Sequence, residues 1–186
     1  MSAAVLRGLT IADEPATWEA LGFHVRDGSA VIGGVEIRLA GSAAGEGIVA
    51  VDISAGDIAA PTEHPNGVIG VDHIVAVTGD FDAAMEGYAS DGLEVRRIRE
   101  VPNSDTRQAF YVLGTALLEL AGPVEGEGEP RFWGITLVAG DLDALAELLG
   151  DRLGSIRDAV QPGRRIATLR REAGSSIPIA FMTSRH

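Results

Sequence analysis

Apolar residues recur along this chain at two alternating periods, and the same alternation comes round more than once. From Val71 the run VDHIVAVTGD is dense in Val and Ile, as a buried strand is. Phe81, Ala84, Met85 and Tyr88 then follow at the spacing of one helix face, and Gly92 supplies a stop. Asp80 follows a glycine and precedes that stripe, the N-cap position where a carboxylate accepts orphan backbone N–H groups. LEVRRIRE, RQAFYVLG and ALLELAG read as strands, the last two flanking a glycine-containing turn.

The unit repeats. FWGITLVAGDLDALA aligns with VDHIVAVTGDFDAAM at a constant offset of 61 residues, placing Ile135 on Ile74, Asp141 on Asp80 and Asp143 on Asp82. Here the helix stripe is Leu142, Leu145, Leu148 and Leu149, ended by Gly150. RRIATLRRE and IPIAFMTS are its strands, with Pro162-Gly163 turning the chain before the first. Residues 1–60 read as a third, more divergent copy. Asp13 precedes a short helical run with Trp18 and Leu21, and SAVIGGVEIRLAG and EGIVAVDIS supply strands. At an offset of 67, Asp13 falls on Asp80 and Asp52 on Glu119. The polar stretch containing Pro61, Pro65 and an Asn66-Gly67 turn places a linker at 61–68, with two modules over 69–186. Strands in series after each helix predict an α+β fold, a mostly antiparallel sheet curling around a pocket.

Composition narrows the chemistry. The chain has no cysteine, which removes disulfides, thiolate ligands and thiol nucleophiles. All fifteen basic residues are arginine, so Schiff-base lysine chemistry and a P-loop are excluded. A formal charge of −12 disfavours nucleic acid and anionic membrane surfaces as partners, and an anionic ligand would need a local cluster of arginines. The opening residues lack a signal-peptide pattern and no apolar run approaches membrane-spanning length, so the expected location is cytoplasmic. No nucleophile-elbow, HExxH or phosphate-cradling glycine pattern is present.

The stretch GVDHIVAVTGDFDAAMEGYASDGLEVRRIRE, with RQAFYVLGTALLELAGP and RFWGITLVAGDLDAL, resembles the vicinal oxygen chelate superfamily, the glyoxalase/bleomycin-resistance/dioxygenase proteins. The likeness covers residues 68–183 and, loosely, the N-terminal third. It implies βαβββ modules that pair into an eight-stranded half-open barrel, with the first and last strand of each module contributing one metal ligand. His73 matches the first position and Glu119 the second. A Glu in the apolar run TALLELAG is costly to bury unless compensated, and imidazole with carboxylate suits Zn, Fe, Ni or Mn.

The departures matter as much. The 61-residue offset puts Gly134 in place of the His and Ala180 in place of the Glu, and neither side chain can ligate. Asp52 is a third candidate ligand if the N-terminal copy pairs with the central one; its plainer reading is a solvated residue near a strand end. Trp133 is a candidate pocket wall, although a barrel tryptophan is core by default. Arg107, Arg165 and Arg170 are candidate ligand contacts, because guanidinium groups bind carboxylates bidentately. By alternation Arg165 and Arg171 face one side and Arg164 and Arg170 the other, so at least one pair solvates the outer face. His64 reads as a surface or capping histidine, and His24 and His186 carry no assigned role.

Two functional readings follow. The first is a protein that binds a small organic molecule in the concave sheet without metal or catalysis. The second is a metal-dependent lyase, dioxygenase or isomerase using His73 and Glu119. Whether the chain is an enzyme stays open at this level. Three modules cannot pair off within one chain, which points to a homodimer.

Overall fold

The structure is a computed structural model that describes residues 4–56, 60, 63–123 and 126–184. Positions 61 and 62 of the expected linker lie outside the described residues, as does His186. The elements run β1 (Ala4–Ile11), α1 (Pro15–Ala20), β2 (Ser29–Ile32), β3 (Val35–Leu39), β4 (Ile48–Ala55) and β5 (Val68–Val77). They continue through α2 (Phe81–Ser90), β6 (Val95–Glu100), β7 (Thr106–Leu113), β8 (Ala116–Pro123), β9 (Arg131–Ala139) and α3 (Leu142–Leu149). The last three strands are β10 (Arg157–Asp158), β11 (Arg165–Thr168) and β12 (Ile179–Thr183).

The architecture is α+β, with one eight-stranded sheet in the order β10-β11-β12-β9-β5-β8-β7-β6. In each half the first strand pairs in parallel with the last: His73 opposes Leu117 and Val75 opposes Glu119, while Thr136 opposes Ala180. The sequence offset of 61 therefore survives as hydrogen-bond register. The halves join where β5 and β9 run antiparallel, Ile74 opposite Ile135 and His73 opposite Thr136. A local twofold relation passes through that pair, and it brings positions 73, 119, 134 and 180 toward one another.

Helix caps follow the sequence. Asp80 accepts from the Ala83 N–H at 3.0 Å, and Asp141 accepts from Asp143 and Ala144, each at 3.0 Å. Leu142, Leu145 and Leu149 are buried against the sheet, as are Phe81 and Ala84. That leaves the other face of the sheet concave and open.

The N-terminal third has the expected element order but not the expected pairing. Its sheet runs β2-β3-β1-β4, with β3 parallel to β1 and β4 antiparallel on the opposite side. Thus β3, not β4, occupies the last-strand position, and β4 lies against β1 much as β9 lies against β5. The two full modules meanwhile pair within the chain, and the N-terminal unit, with a sheet of its own, is the odd module on which the expected homodimer rests. Asp13 does not cap α1, whose N-cap is Glu14 without a side-chain bond. It is instead buried, accepting from Trp18 Nε1 (2.9 Å), Ser175 Oγ (2.7 Å) and the Ser176 N–H (2.7 Å). The N-terminal unit is thereby fastened to the loop before β12.

The expected linker also does structural work, and β5 begins inside it at Val68. His64, expected as a surface or capping histidine, is buried: its Nδ1 accepts from the His24 N–H at 3.1 Å and its Nε2 lies 3.0 Å from the Val31 carbonyl. Asn66, also buried, donates to the Leu21 carbonyl at 3.0 Å. One hydrophobic core continues through both sheets, from Leu6, Trp18 and Ile37 to Leu118, Leu137 and Phe181.

Candidate ligand-binding site

Strand alternation alone would send Asp72 and His73 to opposite faces of β5. A bulge prevents this: Val71 and His73 oppose the consecutive residues Leu137 and Thr136, so Asp72 is the extra residue. Its carboxylate turns back to His73, with Oδ2 2.8 Å from Nδ1. The other oxygen, Oδ1, lies 2.7 Å from Arg164 Nη2, and Arg164 Nε donates to the Thr183 carbonyl at 2.7 Å. Asp72 is 4% exposed and Arg164 6%, so this is a buried ion pair. Burial by itself would raise the Asp72 pKa, but the hydrogen bonds and charges of His73 and Arg164 prevail and bring it down to about 2. An ionised Asp72 has only acceptors, so His73 Nδ1 donates to it and Nε2 points the other way.

His73 Nε2 faces Glu119. The Nε2 to Oε2 distance is 3.8 Å, too long for a hydrogen bond, while Glu119 Oε1 accepts from Gln108 Nε2. Gln108 Oε1 in turn accepts from Arg99 Nε at 2.9 Å. The side chains Arg164, Asp72, His73, Glu119, Gln108 and Arg99 thus form one chain of contacts across the concave face. Beside it opens a cavity of about 980 Å³. Arg96, Arg97, Arg99 and Arg164 line it together with Phe110 and Leu117, the cross-strand partners of Glu119 and His73. Both terminal arginines of the chain therefore reach the same cavity.

The residues selected from sequence fall in four places. His73 and Glu119 meet, as described. Asp52 does not join them: it is exposed on β4, opposite Gly8, in a groove with Arg7 and Arg38. Arg107 and Arg165 point to the helix-covered face, where Arg107 sits 3.0 Å from Asp82 and over the Phe81 ring, and Arg165 bonds both oxygens of Asp143. Trp133 and Arg170 line a different pocket, at the junction with the N-terminal unit. Trp133 is the extra residue of a second bulge, at the position related to Asp72.

Sequence reasoning missed Asp72, Arg164, Gln108 and Arg99. Alternation assigned Arg164 to the face opposite Arg165, which is where it lies. Nothing in the local pattern announced the bulge that recruits Asp72.

A metal at this site would draw on His73 Nε2 and Glu119. The related positions Gly134 and Ala180 offer no donor, and a Cβ on Gly134 would stand 2.8 Å from the Pro178 carbonyl oxygen. Two protein donors fall short of the three or four that zinc and non-haem iron sites use. Among the described residues no group of three or more His, Cys, Asp or Glu is arranged to hold a metal. The donor set does not fit the metal centre that the resemblance implies.

No protein-family model and no curated protein matches this chain. Solved structures do. A methylmalonyl-CoA epimerase from Mycobacterium tuberculosis superposes with a TM-score of 0.52 at 21% identity, covering 64% of this chain and 91% of that one. A hypothetical protein from Bacillus halodurans C-125 gives a TM-score of 0.51 at 15% identity, covering 62% and 94%. A variant methylmalonyl-CoA epimerase from Streptomyces coelicolor, solved in complex with 2-nitronate-propionyl-CoA, gives 0.50 at 25% identity, covering 63% and 95%. Each comparison covers about the length of the paired modules, whose strand order and internal register have already been described. The paired modules therefore share the fold of these structures, the fold that the resemblance to vicinal oxygen chelate proteins implied.

Proposed function

We propose that this protein binds a small organic anion in the concave sheet and that no metal is needed to hold it. The carrying observation is the cavity itself: four arginines around an apolar wall, in a chain whose formal charge is −12. In so acidic a protein a cluster of guanidinium groups is an expensive local concentration of charge, and an anion repays it. Arg164 is already engaged by Asp72 and Arg99 by Gln108, so both fix the wall; Arg96 and Arg97 reach for the ligand. The cavity volume suits a ligand of drug-like size with an apolar body, which Phe110, Val112, Leu117 and Val160 would cover.

The test is calorimetric titration with methylmalonyl-CoA, the ligand named for a structural neighbour, and with malonate as a small dianion, before and after EDTA treatment. Binding that resists EDTA and weakens at least ~10-fold in Arg96→Ala and Arg97→Ala supports the reading, that loss being one charge-assisted contact. Saturation by neither probe, or binding unaffected by both substitutions, rejects it.

A second reading, a metal-dependent enzyme using His73 and Glu119, draws on one observation. A carboxylate behind Nδ1, as Asp72 lies behind His73, is the usual support of a metal-binding histidine. Elemental analysis of untagged protein separates the two. Near-stoichiometric metal that disappears in His73→Ala favours the second reading and its absence from both favours the first.

A further inference from the structure

Where the N-terminal unit meets the third module, a second cavity of about 600 Å³ shares no lining residue with the concave one. From the geometry and chemistry of its walls, we infer that it is a separate binding site for a planar aromatic anion, a flat ring carrying a carboxylate or phosphate.

The ring's partner is Trp133. It is 44% exposed in the cavity wall, whereas the other tryptophan, Trp18, is wholly buried. An indole face left open to solvent inside a concavity is a stacking surface, and aromatic rings prefer offset contact with such faces. The anion's partners are Arg131, Arg170 and Arg171, which line the same cavity. Arg131 and Arg171 make no side-chain hydrogen bond or ion pair among the described residues. Among the described residues Arg170 commits only Nε, to the Leu153 carbonyl at 3.2 Å, which leaves its two Nη groups for a ligand. Against these three cations stands one acidic lining residue, Glu46, so the wall is net positive in a strongly acidic chain. Planar guanidinium groups beside an open indole select a ligand that is both flat and anionic.

The site is prebuilt. Asp13 pins Ser175 and Ser176, and these two serines with Ile177 and Pro178 form one wall. Gly47 and Ile48 of the N-terminal unit form another, so the cavity exists only because that unit is docked.

Trp133 also supplies the readout, because buried Trp18 is shielded from a ligand. Adenosine 5′-monophosphate and benzoate, each an aromatic anion, are titrated by calorimetry with tryptophan emission recorded in parallel; adenosine and benzamide are the neutral counterparts. The expected result is saturable binding of at least one anion with a change in emission that Trp133→Phe removes. Arg170→Ala/Arg171→Ala weakens it at least ~10-fold, and Arg171→Glu does so as well, through loss of charge-assisted contacts. Arg99→Ala, in the concave cavity, leaves it unchanged. Saturation by neither anion overturns the inference. So does equal binding of the neutral counterparts, or binding that survives the arginine substitutions.

Discussion

Asp72 and His73 are consecutive on one strand, yet their side chains meet, Oδ2 to Nδ1 at 2.8 Å. The bulge in β5 makes this geometry available, and Arg164 makes it durable by neutralising the buried carboxylate. Breaking a buried pair by removing one partner typically costs ~3–5 kcal/mol, because the other charge is left uncompensated, whereas exchanging both for apolar residues costs far less. Asp72→Asn is therefore expected to lower unfolding stability by about 3 kcal/mol in urea, at the lower end of that range because the amide still bonds. Asp72→Leu/Arg164→Met is expected to be more stable than either single change. A double variant as unstable as the sum of its parts would show that packing, not charge, governs the region.

Acid should act on two buried groups in separate windows. His64 has its pKa lowered, first by burial and further by His24, with the Val31 hydrogen bond opposing. The unfolded chain then binds a proton that the native state resists, so stability falls as pH drops below about 6.5, the ordinary histidine value. Asp72 behaves as a depressed carboxylate: its contribution is whole above pH 3.8 and is lost as pH falls through about 2. Melting temperature recorded from pH 8 to 5 should decline, and His64→Gln should flatten that slope whatever it does to stability at pH 8. An unchanged slope in the variant assigns the decline to other groups.

Much of this was legible in the sequence because it is periodic. The Val/Ile-rich openings, the Asp80 and Asp141 caps and the 61-residue offset all reappear, the last as strand register. The meeting of His73 with Glu119 follows from the same register. What stayed hidden depends on departures from periodicity. The bulge at Asp72 lets the side chains of adjacent residues meet, and its counterpart falls at Trp133, which lines a different cavity. Pairing in the N-terminal unit was equally invisible. Element order is local, whereas the choice of β3 or β4 as the neighbour of β1 is decided by packing across the molecule.

The docking of that unit turns on Asp13. One carboxylate satisfies the Trp18 indole N–H, the Ser175 hydroxyl and the Ser176 backbone N–H across a sequence separation of more than a hundred residues. Asp13→Ala leaves the buried indole N–H without its acceptor and releases the loop before β12, a loss of ~2–4 kcal/mol for several charge-assisted bonds. Hydrogen exchange should report faster opening at Ser175–Ile177 and in β1. Protection lost at β1 alone would mean that the loop is held by other contacts.

The depleted metal-donor set can be examined by restoring it. Ala180 is related to Glu119 by the 61-residue offset, and it opposes Thr136 just as Glu119 opposes Val75. Ala180→Glu would add a third donor beside His73 and Glu119, enough for a zinc site with an open position. Gly134 is a different matter, because any Cβ there meets the Pro178 carbonyl oxygen at 2.8 Å, and that carbonyl already accepts from the Ile135 N–H. Gly134→His must displace backbone at a sheet junction, so it should lose stability on the scale of overpacking, about 1–3 kcal/mol. The expected pattern is zinc uptake by Ala180→Glu, abolished by adding His73→Ala, with a folded but weakened Gly134→His. Elemental analysis and thermal melts read both. Stoichiometric zinc in the unaltered protein would instead mean that water and two side chains suffice, and would put the metal-dependent reading ahead of the metal-free one.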